Sequence, residues 1–158
     1  MVKHGELELA YENGLMLMKA EGYSNGMRTT QQFKLPLKIE VRAKTDGEIH
    51  VKYENGFISL NSIHFRNALA IQGIAEDEFK LYKKRGEIPM DEFFDIEWIL
   101  GKNVMAVKAN GEVRHVNDNY GYIKTYANNP DFNLSSGVII AAQCGSTVTV
   151  ESLRVTEL

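Results

Sequence analysis

Leu37-Lys38-Ile39-Glu40-Val41-Arg42-Ala43-Lys44 alternates apolar and charged residues without a break. Successive side chains of an extended chain point to opposite faces, so Leu37, Ile39, Val41 and Ala43 share one face and the four charged residues the other. That is the pattern of a strand half-buried in a sheet, because a helix would scatter the same residues around its circumference. Outward from this stretch, Asn-Gly recurs at Asn13-Gly14, Asn25-Gly26, Asn55-Gly56 and Asn110-Gly111, with Asp-Gly at Asp46-Gly47. Tight hairpin turns need positive φ, which Asn, Asp and Gly tolerate best, so these pairs predict hairpins, and Gly101-Lys102 fits the same role. Strand-like runs fill the intervals, at 6–11, 15–20, 48–53, 57–61, 68–71, 79–82, 93–100, 104–109, 112–116, 138–142 and 147–156. Helical signals are sparse: residues 75–84 could form a turn or two, and 22–32 and 117–136 read as long loops. Short strands at this spacing predict an all-β fold of two antiparallel sheets, a sandwich or barrel.

Composition narrows the function classes. The 158 residues suit a single domain spanning 1–158, with 44% hydrophobic and 25% charged residues. The net charge of −3 comes from interleaved acids and bases with no basic stripe, so nucleic-acid binding is not expected. No apolar run approaches a membrane span, and Lys3, His4, Glu6 and Glu8 interrupt any signal-peptide core, which makes the cytoplasm the expected compartment. Cys144 is the single cysteine, so internal disulfides and thiolate zinc cages are excluded, and its apolar context predicts a buried, inert thiol. His4, His50, His64 and His115 show no metal-ligand spacing, and no nucleophilic-serine site is expected.

Asp91-Glu92-Phe93-Phe94-Asp95-Ile96-Glu97-Trp98, followed by Lys102 to Glu112 with its Asn110-Gly111 turn, resembles a recurring pattern of concanavalin-A-like sandwiches. Laminin-G-like domains and family-sixteen glycoside hydrolases share it: an aromatic-led strand ending near Trp, a hairpin, then a strand closed by Asn-Gly or Asp-Gly. Ser136 to Ala142 and Val148 to Val155 are similar to the last two strands of that superfamily. The resemblance implies a two-sheet jelly-roll sandwich of concanavalin-A-like type. A likeness to sandwich domains attached to bacterial transcription regulators is also noted, although these residues hold no helix-turn-helix.

The same resemblance frames the function. Family-sixteen hydrolases carry Glu-x-Asp-x-x-Glu on a strand that corresponds to residues 57–75 here, and residues 57–75 contain no Asp or Glu. Asp95 and Glu97 share a strand face but align with a later, non-catalytic strand, and are read as a solvated face. The expectation is therefore a non-catalytic ligand-binding module with carbohydrate as the leading ligand. A regulatory or protein-interaction domain of a bacterial regulator and a divergent glycoside hydrolase are the alternatives. Sugars are held by aromatic stacking and polar side chains. Tyr120, Tyr122 and Tyr126 have even spacing, so an extended chain would align their rings beside Asn117, Asp118 and Asn119. A second patch comprises Asn61, His64 and Arg66, with Asn67 beside them. No cofactor is expected, although Asn117, Asp118, Asn119, Asn128, Asn129 and Asp131 could supply oxygen ligands to calcium.

Overall fold

The computed structural model describes residues 1–62, 65–74 and 78–158. The period-two pattern becomes two antiparallel sheets of seven strands each. The first sheet orders β1 (Val2–His4), β4 (Asn25–Arg28), β15 (Val138–Ala142), β7 (Ile49–Tyr53), β8 (Gly56–Leu60), β9 (Leu69–Gln72) and β10 (Phe79–Tyr82). The second orders β13 (Glu112–Asn117), β12 (Met105–Ala109), β11 (Phe94–Leu100), β6 (Leu37–Thr45), β16 (Thr147–Glu157), β3 (Leu15–Lys19) and β2 (Glu8–Glu12). A ribbon of β5 (Phe33–Lys34) with β14 (Ser135–Ser136) and one helix, α1 (Gly121–Asn128), complete the described elements. The chain crosses directly between sheets after β1, β3, β6, β10 and β15, and by way of the ribbon after β4 and β13, which makes the sandwich a jelly roll.

The core is the sum of the inward faces. On β6, buried and half-exposed residues alternate along all nine positions, as the opening stretch predicts. β11 and β16 flank it, so that Trp98 lies opposite Ile39, and Phe94 opposite Ala43, which in turn faces Val150. The first sheet answers with Ile49, Val51 and Tyr53 of β7, Ile58 and Leu60 of β8, and Val138 and Ile140 of β15. Each fully buried side chain of this size contributes about 1.5–3 kcal/mol by leaving water.

Asn13-Gly14 and Asn110-Gly111 are hairpin turns with positive φ at both residues. Two of the other predicted turns are corrected. Asp46-Gly47 joins β6 to β7, which lie in different sheets, so it is a crossover rather than a hairpin. Asn25-Gly26 lies within β4, where a Cβ at Gly26 would collide with the Ile140 carbonyl of β15; glycine is needed there for close strand approach. The dipeptide reports permissive backbone, and backbone can be permissive for either reason.

The loop expected at 117–136 contains α1, whose face of Tyr122, Ile123 and Tyr126 packs into the core. Tyr126 meets Tyr122 and Phe132 edge-on at centroid distances of 6.5 and 5.1 Å. Two further contacts tie periphery to core. The Tyr53 hydroxyl lies 2.8 Å from the Phe33 carbonyl and 3.0 Å from that of Leu134, fastening the ribbon to the sandwich. Burial raises the Tyr53 pKa well above the usual phenol range, so it remains a hydrogen-bond donor. At the sheet edges, the His115 ring on β13 packs against Tyr82 at 4.5 Å, with Arg85 Nη1 3.4 Å from Nδ1 and the Tyr120 hydroxyl 3.4 Å from Nε2.

Tyr53→Phe removes the bridging hydroxyl, while the Leu134 carbonyl keeps the Leu35 N–H, so it is expected to cost about 0.5–1.5 kcal/mol while preserving the fold. Urea denaturation monitored by Trp98 fluorescence measures this. A pH dependence follows from His115, whose pKa is lowered by burial first and by Arg85 and Lys80 next. The unfolded chain binds this proton more readily, so stability drops as pH falls below the ordinary histidine value of 6.5, and the loss levels off below the folded-state value. The melting temperature should therefore fall between pH 7.5 and 5, and His115→Phe should flatten that slope.

Candidate functional site

Strand alternation sends Ile49, Val51 and Tyr53 into the core, so Glu48, His50 and Lys52 face outward from the first sheet at i, i+2 and i+4. Outward does not mean solvated here: Glu48 is 6% exposed and His50 8%. A carboxylate withdrawn from water must be hydrogen-bonded, and this one is. Glu48 Oε1 accepts from the Ser59 hydroxyl of β8 and lies 2.7 Å from His50 Nε2. His50 Nδ1 lies 3.3 Å from Ser24 Oγ, which accepts from Gln143 Nε2 at 3.1 Å. With the proton on Nε2 the chain reads in one direction: Gln143 to Ser24, Ser24 to His50, His50 to Glu48. The backbone around it is held as well, since Ser146 Oγ accepts from the Gln143 N–H at 2.8 Å and donates to the Glu48 carbonyl at 3.1 Å.

Aromatic rings stand beside this network. Phe57 stacks on the His50 ring at 4.8 Å and an interplanar angle of 10°, and Phe79 of the neighbouring edge lies 6.3 Å from Phe57. Tyr23 is 70% exposed and Phe79 45% exposed, although both line the same small cavity of about 30 Å³ with Glu48, His50, Phe57, Ala70 and Gln143. A wider cavity of about 570 Å³ shares Glu48, Ser62 and Gln143 and reaches Asp46, Asn61, Arg66, Met90 and Cys144 at the strand ends. Together they form a groove with buried polar atoms at its floor and exposed rings at its margin.

The expected site residues fall in different places. Asn61 and Arg66 do line the wider cavity, while His64 lies outside the described residues. The Asn61 side chain is occupied structurally: its amide donates to the Gly47 carbonyl at 3.1 Å and its oxygen accepts the Asn67 N–H at 3.1 Å. The tyrosine platform is corrected. The segment is helical rather than extended, and Tyr120, Tyr122 and Tyr126 are 4, 2 and 7% exposed, so their rings pack the core. Beside them Asn117 closes a turn by accepting the Asn119 N–H at 2.7 Å, while Asp118 is exposed. Asn129 does likewise for the Asp131 N–H at 3.2 Å. These two side chains thus serve their own backbone. Among the described residues no group of three or more His, Cys, Asp or Glu is arranged to hold a metal ion. Cys144 is also corrected: it is half-exposed with φ 44° in the turn between β15 and β16, not buried in a strand.

Asp95 and Glu97 occupy the outer face of the second sheet, where Asp95 pairs with Arg42 at 3.2 Å and Glu97 with Lys108 at 2.7 Å. This is the solvated face the sequence predicts. What sequence reading missed is the Glu48–His50 pair. Its signal was available as Glu48-x-His50-x-Lys52 on one strand face, one strand away from the carboxylate-free stretch. Gly22-Tyr23-Ser24-Asn25-Gly26 was likewise overlooked, although it has the Gly-x-Ser-x-Gly spacing and places Ser24 at φ 54°. Ser24, His50 and Glu48 do form a serine–imidazole–carboxylate chain. Its polarity is inverted relative to a serine-hydrolase triad, with Nε2 on the carboxylate and Nδ1 toward the serine.

No family model matches this sequence. No curated protein matches it either. Solved structures do match in fold. Carbohydrate-binding module CBM66 from Bacillus subtilis superposes with a TM-score of 0.66 at 6% identity, covering 92% of this chain and 90% of that one. A prokaryotic β-1,3-1,4-glucanase (lichenase) from a mouse hindgut metagenome gives 0.63 at 13% identity, covering 95% and 83%. Galectin LEC-6 of Caenorhabditis elegans gives 0.51 at 10% identity and 96% coverage of both chains. With two seven-stranded antiparallel sheets in jelly-roll order and these structural neighbours, the fold is that of the concanavalin-A-like lectin and glucanase sandwiches.

Proposed function

We propose that this chain is a non-catalytic carbohydrate-binding module whose ligand lies in the groove on the outer face of the first sheet. The observation that carries this reading is the pairing of exposed rings, Tyr23 and Phe79 beside Phe57, with the buried chain Glu48–His50–Ser24–Gln143. A pyranose has one apolar face for a ring and hydroxyls for fixed polar groups. The buried network holds the groove floor and the Phe57 ring in place, so little ordering entropy remains to be lost on binding. The structural neighbours add support from fold, since they include a carbohydrate-binding module, a galectin and a glucanase.

One feature favours a second reading, a divergent glycoside hydrolase: Asp46 and Glu48 line the same wider cavity. Hydrolysis needs a carboxyl free to act on the ligand. Asp46 Oδ1 holds the Thr147 N–H at 2.7 Å, and Glu48 Oε1 is engaged by both Ser59 and His50, so each acid has a structural partner. Binding without cleavage accounts for these contacts more directly.

Calorimetry against β-glucan and galactan oligosaccharides tests the proposal. Binding is expected, with Phe79→Ala or Tyr23→Ala weakening it about fivefold, corresponding to roughly 1 kcal/mol per stacked ring, and leaving the melting temperature unchanged. Affinity that is indifferent to both substitutions contradicts the site. Release of reducing ends that disappears with Glu48→Gln would establish the hydrolase instead.

A further inference from the structure

Beside the groove, and joined to it through Phe57, the outward face of the first sheet carries two cations. The strand register sets Arg28 of β4 opposite Ile139 of β15, and Ile139 opposite Lys52 of β7. Lys52 in turn lies opposite Phe57 of β8. All four face outward, because their neighbours Met27, Ile140, Val51 and Ile58 are in the core. Arg28 and Lys52 are thus two strands apart, roughly 10 Å between Cα atoms, with Ile139 buried between them. Long basic side chains converge over such a residue by laying their stems on it. His4 of β1 lies opposite Gly26 in the adjacent outward row.

Three observations mark this corner as unneutralised. Among the described residues, neither Arg28 nor Lys52 makes an ion pair within 4.0 Å, whereas Lys38, Arg42, Lys80 and Lys108 do. Lys52 is half-buried and its pKa is lowered by desolvation. The His4 pKa is lowered by burial and then by Lys52 and Arg28, so the three groups share one field. A cluster of like charges, partly desolvated and without a protein counter-ion, is destabilising by itself and is relieved by an anion.

We propose that Arg28, Lys52 and His4 receive the anionic group of an acidic glycan, a carboxylate or a sulfate, carried on a sugar whose ring lies over Phe57. This rests on the sugar-binding reading above. Phe57 and Lys52 are direct cross-strand partners on the outward face, so a sugar stacked on the ring carries its substituents within reach of the flexible lysine stem. Arg28 adds a planar fork that can meet a carboxylate or sulfate with two parallel hydrogen bonds.

The test compares matched pairs by calorimetry: an oligogalacturonate with its methyl ester, and a sulfated galactan oligosaccharide with its desulfated form. At least one acid should bind tenfold or more tightly than its neutral partner, and the responding pair identifies carboxylate or sulfate. Lys52→Gln and Arg28→Gln should abolish that preference, while Lys52→Arg retains it; melting curves of each variant verify folding. Equal binding of acid and neutral forms in both pairs, or a preference surviving in the double variant, overturns the anion site and leaves the sugar reading standing. An acid preference lost with Lys52→Gln but indifferent to Phe57→Ala overturns the placement of the sugar ring and leaves the anion site. No binding by any glycan, acidic or neutral, overturns both.

Discussion

Burial of the Glu48 carboxylate on the outward face of a sheet is the constraint around which the groove is organised. Such a group is tolerated only with hydrogen-bond donors in place, and the network that supplies them draws on four separate segments. Ser59 comes from the neighbouring strand, His50 from the same strand, and Ser24 with Gln143 from the two turns behind the imidazole. None of these residues is adjacent to another in sequence. The antiparallel pairing of β7 with β8 and β15 is what brings them together. Removing one member would strand the others in a low-dielectric site, so the network also fixes the position of the Phe57 ring stacked on His50.

The same strand serves stability and recognition through its two faces. Inward, Val51 and Tyr53 help close the core, and the Tyr53 hydroxyl reaches the β5–β14 ribbon. Outward, Glu48, His50 and Lys52 run from a paired carboxylate to an ammonium with no ion pair among the described residues, along about 13 Å of strand. A ligand aligned with β7 therefore meets different chemistry at each end, which a flat polar surface would not provide. The outer face of the second sheet offers a contrast. There Arg42, Asp95, Glu97 and Lys108 neutralise one another, and the half-exposed Phe93 ring beside them already has the Arg42 and Lys44 cations over it.

Much of the fold was legible in the sequence because two-residue alternation and turn chemistry are local. β6 and the hairpin at Asn110-Gly111 follow directly from them. The failures were non-local. Asp46-Gly47 has hairpin chemistry, but which sheet receives the next strand is decided by core packing. The helix at Gly121–Asn128 has no side-chain N-cap and no acidic first turn, so it exists through the burial of Tyr122, Ile123 and Tyr126 rather than through its own signals. The tyrosine platform failed for that reason, since even spacing aligns rings only on an extended chain. Asn61 and Arg66 line the wider cavity, whereas Glu48, Phe57 and Gln143 come together only once the strands and the turn that carry them are assembled.

The central claim is where a glycan sits, and backbone amide NMR during a titration with an oligosaccharide that binds reads it residue by residue. The account predicts that the largest shift changes fall at Tyr23, His50, Phe57, Ser59, Ala70, Phe79 and Gln143, on the outer face of the first sheet. Changes concentrated instead at Arg42, Asp95 and Lys108 on the opposite face, or at Asn117 to Asn119 beside the helix, would contradict it.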